Sequence, residues 1–244
     1  MKKLLGISMI VAAMLVMPAV CRYIDFRLKY PYRTEKARRR LAEVSQYLRE
    51  NNIKRFDLGY YDTDDSFHLA VFDIDICDLE WTRKIPLSEL KIDYTHVKDL
   101  SPLACQAQYL LRLSANVTWI RDLSPLAGCT NLEELSISDT LVDSLAPISN
   151  IPLYNLEIRG TGVDDLTCVN TNNLIWLRFS LDRHVEWKGV SRIRSNPKIG
   201  VGAWVSSEYS WERFDEFYAN PTNDEAKAIQ SLWEINGRAK YFHR

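Results

Sequence analysis

The sequence predicts an α/β repeat solenoid built from strand-and-turn coils with a helical cap at each end, and three observations carry the prediction. The first is a short apolar phrase written five times: Leu87-x-x-Leu90-x-Ile92, Gln108-x-x-Leu111-x-Leu113, Leu132-x-x-Leu135-x-Ile137, Leu153-x-x-Leu156-x-Ile158 and Leu174-x-x-Leu177-x-Phe179. Its starts lie 21, 24, 21 and 21 residues apart. The second is a phrase that follows the first four in step: Asp99-Leu-Ser-Pro-Leu103, Asp122-Leu-Ser-Pro-Leu126, Ser144-Leu-Ala-Pro-Ile148 and Asp165-Leu-Thr-Cys-Val169. The third is a polar residue midway between them: Thr95, Asn116, Thr140, Thr161 and, in the fifth unit, Asp182. Self-similarity at such a period marks a solenoid, and a coil that cannot bury its own apolar faces must stack on its neighbours.

Within one coil, the last two apolar residues of the first phrase alternate, as a strand with one buried face requires. A polar or glycine-containing stretch then turns the chain, and Val97, Ile120, Val142 and Val163 point inward again. The second phrase suits a short helical or 3₁₀ turn. Ser101 and Ser124 are its expected caps, and Pro102, Pro125 and Pro147 fit its first position, where no N–H is needed. Ala146 cannot cap, so the third turn is expected to be the weakest. The midway polar residues are expected to satisfy buried backbone groups rather than to bind a ligand. Each buried Leu or Ile is worth roughly 1.5–3 kcal/mol, with about six such residues per coil.

The combined pattern Leu-x-x-Leu-x-Ile-x-x-Thr-x-Val-x-Asp-Leu-Ser-Pro-Leu resembles the short leucine-rich repeats of bacterial surface and exported proteins, the internalin-like type, over about residues 85–195. The resemblance implies a parallel sheet on the concave side, short turns on the convex side, and a role in holding a partner rather than in catalysis. Gln108 departs from the pattern, the second unit is longer than the others, and the fifth lacks the Ser-Pro phrase. The flanks 22–84 and 200–244 match no family, so no particular function carries over.

The chain has 244 residues, 46% of them hydrophobic and 26% charged, an ordinary globular composition. Its net charge of −1 hides an asymmetry: residues 22–55 carry eleven Lys/Arg against four Asp/Glu, and residues 56–244 carry eighteen against twenty-eight. Residues 1–21, with Lys2 and Lys3 before an apolar run to Cys21, read as a secretory signal or a membrane anchor. Cleavage after Cys21 would put Ala19 and Cys21 at the small-residue positions. Uncleaved, the run is barely long enough to span a bilayer. The heavier positive charge on its C-terminal side favours cytoplasmic retention of the chain beyond residue 21. The expected location is the cell envelope, whether periplasmic, secreted or anchored.

Residues 22–84 are expected to form an N-terminal cap. Thr34 caps a helix to about residue 52 with Ala37, Leu41, Val44 and Leu48 on one face. Arg38, Arg39 and Arg40 form either a solvated face or a contact with anionic lipid. Alternation at Phe56, Leu58 and Tyr60 and at Phe67, Leu69 and Val71 predicts two strands. Asp62-Thr-Asp-Asp65 between them reads as a hairpin turn, since it lacks the ligand spacing of a calcium loop. Leu69-x-x-Phe72-x-Ile74 echoes the repeat, as a degenerate first coil would. The solenoid is expected over 85–199, ending at Asn196-Pro-Lys and Gly200-Val-Gly. Residues 200–244 are expected to be a helical C-terminal cap, with helices at Ser210–Tyr218 and from Thr222 or Asn223 to Gly237. Its tryptophans Trp204, Trp211 and Trp233, with Trp187, also leave an aromatic ligand cage open.

Enzyme signatures are absent: His68, His96, His184 and His243 are scattered, and no phosphate loop, nucleophile elbow or metal spacing occurs. No cofactor is expected. Nucleic acid is not an expected partner, because the body is acidic and lacks a basic groove. Asn116-Val-Thr118 has the form of a glycosylation sequon but falls on the midway polar position. Cys105 and Cys129, each three residues before a phrase, are expected in one column, either bridged or as two buried apolar residues. The leading expectation is a non-catalytic protein that binds a protein or peptide on the concave sheet. The alternatives are an enzyme with its site around Trp204–Tyr218 and a self-associating envelope protein. Alternation gives three outward columns. They are Glu89, Leu110, Glu134, Asn155 and Trp176; Lys91, Arg112, Ser136, Glu157 and Arg178; and Asp93, Ser114, Ser138, Arg159 and Ser180. The expected contact residues are Trp176, Arg178, Arg112, Leu110, Lys91, Glu157 and Arg159, with Trp176 and Arg178 as anchors because exposed Trp and Arg dominate interface energetics.

Overall fold

The computed structural model describes residues 34–180 and 188–204. The expected signal or anchor, Asp182, His184, Trp187, the helices proposed beyond residue 204 and His243 lie outside them. The chain divides into two units between Glu43 and Val44, and helix α1 (Glu35–Glu50) runs through that boundary. In the first unit, Thr34 Oγ1 accepts from the Ala37 amide at 3.0 Å, the expected cap. Glu35 pairs with Arg39 at 3.2 Å on the exposed face.

The second unit holds an eight-stranded sheet in sequence order. Strands β1 (Phe56–Tyr61) and β2 (Ser66–Val71) form the expected antiparallel hairpin. From β2 onward every pairing is parallel: β3 (Leu87–Lys91), β4 (Arg112–Ser114), β5 (Glu134–Ser136), β6 (Asn155–Ile158), β7 (Trp176–Ser180) and β8 (Gly200–Trp204). Between them run 3₁₀ turns at Ser101–Gln106, Ser124–Leu126 and Ala146–Ile148, and a short helix α2 (Val190–Arg194). Strands therefore line one side of each coil and turns the other. The strands continue past residue 199, because β8 pairs with β7 where the sequence reading ended the repeats.

The inward rows are continuous. Leu90, Leu113, Leu135, Leu156 and Leu177 stand in register and are all buried. Leu69 precedes them in the same row, paired with Leu90. Val97, Ile120, Val142 and Val163 are buried behind them, as expected from the pattern. The echo in the first coil is displaced, however. Leu69 and Val71 are buried, whereas Phe72 and Ile74 are exposed.

The second coil also corrects the sequence register. Its phrase is Leu110-x-x-Leu113-x-Ala115, with all three named residues buried, and not Gln108-x-x-Leu111-x-Leu113. Sliding a strand by two residues preserves which side chains face inward, so alternation alone does not distinguish the two readings. The polar ladder moves with it. Thr95, Thr118, Thr140 and Thr161 each donate from Oγ1 to the carbonyl three residues back, at 2.8–2.9 Å. Asn116 is not among them. These hydroxyls satisfy backbone oxygens where the chain leaves each strand, which is the structural role expected of the position.

The turns are held from two residues earlier than expected. Asp99 Oδ1 accepts from the Ser101 amide and Asp122 Oδ1 from the Ser124 amide, both at 2.8 Å. Ser101 and Ser124 therefore sit inside the turn and do not cap it. This is an Asx turn, in which the aspartate closes a loop on the amide two residues on. In the third coil Ser144 takes that place, and its contact to the Ala146 amide is longer, at 3.3 Å.

Candidate interaction face

The outward residues of β3–β8 make two columns fixed by strand register. One is Glu89, Arg112, Glu134, Asn155, Trp176 and Gly200; the other is Lys91, Ser114, Ser136, Glu157, Arg178 and Gly202. Where the strands end, Asp93, Asn116, Ser138, Arg159 and Ser180 come two residues on. Leu110 is absent from this face. It is fully buried in the row of Leu87, so its expected contact role is corrected. Arg112 takes the outward place beside Glu89.

That shift by two gives the face its electrostatics. Arg112 lies between two carboxylates, 2.9 Å from Glu134 and 3.7 Å from Glu89. Partial burial pulls the guanidinium pKa down, but the Glu134 hydrogen bond and the two nearby carboxylates outweigh it and hold the pKa above its usual value. Glu157, mostly buried, takes Arg178 at 3.2 Å on one oxygen and Arg159 on the other. Lys91 stands exposed at the first coil. The face thus carries compensated charge clusters rather than a field of one sign.

Between the clusters lies a hydrogen-bonded polar floor. Asp93 Oδ1 accepts from Ser114 Oγ at 2.7 Å and from the Asn116 amide at 2.8 Å. Asn116 Oδ1 accepts in turn from Ser136 Oγ at 2.8 Å and the Ser138 amide at 2.7 Å. The Asn116 of the sequon is therefore a cross-coil connector.

Trp176 is 47% exposed at the far end. Its indole lies against Gly200 of β8, where an added Cβ would come 2.5 Å from the ring. Arg178 places its guanidinium 6.0 Å from the same ring. Beside Trp176, an open groove of about 800 Å³ runs along the edge where the chain enters the last strands, lined by Glu133, Tyr154, Asn172, Ile175 and Lys198. The structure brings Trp176 and Arg178 together with Glu157 and Arg159, and leaves Arg112 and Lys91 with the earlier coils. Sequence reasoning missed Tyr154 and Ile175, which directly follow the leading Leu153 and Leu174 of their phrases and are both exposed.

Among the described residues no group of His, Cys, Asp and Glu could hold a metal ion. Cys105 and Cys129 are unbridged, the first exposed and the second buried. They do not share a column. Counted from the turn aspartates Asp122 and Asp99, Cys129 matches Gln106, whose side chain accepts from the Leu87 amide at 3.1 Å and donates to the Thr82 carbonyl at 2.8 Å. Burial pushes the Cys129 thiol up to about 11.

The repeating unit is thus a strand, a threonine at its exit and an aspartate-closed 3₁₀ turn, stacked in parallel. The fold is a leucine-rich-repeat solenoid. No family model and no curated protein matches the chain. Among solved structures, the chain is similar to internalin C2 of Listeria monocytogenes at 23% identity and a TM-score of 0.44, over 54% of this chain and 67% of that one. It is also similar to internalin F of the same organism at 20% identity and a TM-score of 0.44, over 56% of this chain and 47% of that one. The solenoid accordingly spans about half the length of that internalin F chain. No helix among the described residues is long and apolar enough to cross a membrane.

Proposed function

We propose that this is a non-catalytic leucine-rich-repeat protein of the cell envelope that holds a protein or peptide partner on its sheet face. The observation that carries the reading is the Trp176–Arg178 pair, exposed on that face, with the groove at Tyr154 and Ile175 lying where the chain enters the same strand. A large aromatic ring packed against a glycine and flanked by a guanidinium presents much area at little loss of side-chain freedom, the usual make-up of an energetic anchor. Glu157 and Arg159 supply orienting charges around it, and Arg112 and Lys91 offer further charge on the earlier coils of the same face. Because Arg112, Glu157 and Arg159 are already paired, a partner gains selectivity from matching them more than affinity. Export, by signal or by tether, rests on the Lys2–Lys3 start and the apolar run to Cys21.

The test is recovery of partners from the native envelope by the full-length protein and by Arg178→Ala and Trp176→Ala variants. The variants' unfolding midpoints are measured alongside, because Trp176 also covers Gly200. Loss of a specific partner from folded variants is the expected result. Retention of every specific partner with unchanged affinity would overturn the sheet-face reading. Cell fractionation with intact mass tests the compartment separately, and a soluble cytoplasmic protein with Met1 intact would overturn export.

A further inference from the structure

The flank where the chain leaves the strands carries an exposed patch with an internal order that the sheet face does not have. Three columns cross the first four repeat coils there: Tyr94, Val117, Asp139 and Gly160; His96, Trp119, Leu141 and Gly162; and Lys98, Arg121, Asp143 and Asp164. The equivalence of the first column is fixed by backbone geometry. Tyr94, Val117, Asp139 and Gly160 all adopt left-handed φ, at 61°, 55°, 56° and 63°. Cross-coil hydrogen bonds hold the patch in place, from the Tyr94 amide to Asn116 O at 2.9 Å and from the Val117 amide to Ser138 O at 2.8 Å. Tyr94, Val117, Trp119 and Leu141 are 67%, 40%, 53% and 44% exposed.

Two features of the patch are unexplained by the fold. A left-handed position favours Gly, Asn or Asp, and the third and fourth coils comply. Tyr94 and the β-branched Val117 instead accept the strain while burying little in the monomer. The charged column, moreover, reads positive, positive, negative, negative along the stack.

We infer that this flank is a self-complementary docking surface for a second copy of the chain, with a two-fold axis in the interface plane between the second and third repeat coils. Such an axis faces each column with itself in reverse order. Lys98 then meets Asp164 of the other copy, and Arg121 meets Asp143. Trp119 meets Leu141. The tall residues of the first coil, Tyr94 and His96, meet Gly160 and Gly162 of the fourth, with the Asp139 carboxylate beside Gly160 within reach of the Tyr94 hydroxyl. A two-fold axis turned by a right angle would instead set Asp139 against Asp143, two like charges, which disfavours it. The four coils span about 15 Å at strand spacing, with apolar residues at the centre and charges along one border, the core-and-rim arrangement of an interface. Within one copy Arg121 and Asp143 lie only 3.5 Å apart and are 68% and 61% exposed, so exchanging partners across the axis costs little. The surface is distinct from the Trp176–Arg178 face, and the inference does not depend on the function proposed for that face.

The experiment is sedimentation equilibrium of the full-length protein, with Arg121→Asp and Asp143→Arg prepared separately and then mixed. Wild type is expected to dimerise, more weakly as salt is raised. Each single variant sets like charges across the axis twice, and its dimer dissociation constant is expected to rise about tenfold or more. An equimolar mixture of the two variants restores both cross-axis pairs and is expected to recover wild-type affinity as a heterodimer. Circular dichroism verifies folding of each variant, whose changed side chains are exposed. A monomeric wild type at low salt would overturn the inference. So would single variants that dimerise like wild type, or weakened variants whose mixture does not recover.

Discussion

Asp93 of the first repeat coil accepts two hydrogen bonds from Asn116 of the second, one from its backbone amide at 2.8 Å and one from its side-chain Nδ2 at 3.0 Å. Asn116 passes the connection on to Ser136 and Ser138 of the third coil. Replacing Asn116 by alanine removes an acceptor for two donors and one donor to a carboxylate. The expected cost is about 1–3 kcal/mol, read as a lower urea midpoint. Asn116→Asp keeps the acceptor but sets a second carboxylate beside Asp93, so its stability is expected to fall as pH rises above the carboxylate range. An unchanged midpoint in both variants would show that the network contributes nothing to cohesion between coils.

Gln106 makes a buried connection of the opposite kind, joining the Leu87 amide to the Thr82 carbonyl. Gln106→Leu retains the volume but strands the Leu87 N–H without its partner. A loss of about 2–4 kcal/mol is expected, since an unpaired buried donor bears its full desolvation cost. Gln106→Glu is expected to be comparably poor at neutral pH, because a carboxylate has no N–H for Thr82. Equilibrium unfolding of the two variants checks this.

Val117 holds φ at 55° with an exposed, β-branched side chain. Val117→Asn is expected to stabilise the monomer by about 1 kcal/mol, because asparagine tolerates the left-handed region that valine resists. The measurement is thermal unfolding at a protein concentration low enough to hold the chain monomeric. Destabilisation by this substitution would show that the valine contributes packing within one copy that outweighs its strain.

Three turn aspartates have depressed pKa values for one cause. Asp99, Asp122 and Asp165 are hydrogen-bonded first by the hydroxyl and then by the amide of Ser101, Ser124 and Thr167. A carboxyl depressed in the folded state contributes stability that is present above its unfolded value and is lost as pH falls through the folded value. The unfolding midpoint is therefore expected to fall as pH drops below about 4, with a shallower slope in an Asp99→Asn, Asp122→Asn, Asp165→Asn triple variant. Equal slopes would remove the turn aspartates from the acid response.

The repeat and its stacking were legible because burial writes a period into the chain: Leu132, Leu153 and Leu174 recur at 21 residues and occupy one buried row. The second coil was legible only in part. A two-residue slide keeps the alternation, so the string from Gln108 to Ala115 reads equally well in two registers. Turn chemistry was half legible, since Asp and Ser two residues apart can each close a short turn and only backbone geometry chooses between them.

By itself, then, the sequence determined a stack of strand-and-turn coils, because apolar spacing permits no other burial of so many leucines. The tertiary structure alone decided which side chains became neighbours across coils. Leu110 fills the core row because that register lets Gln106 bond to Leu87, and this sets Arg112 between Glu89 and Glu134. The same stacking aligns Tyr94, Val117, Asp139 and Gly160 in one left-handed column. Contacts between residues some twenty positions apart depend on register, and register is settled by packing and hydrogen bonding of whole coils rather than by any local pattern.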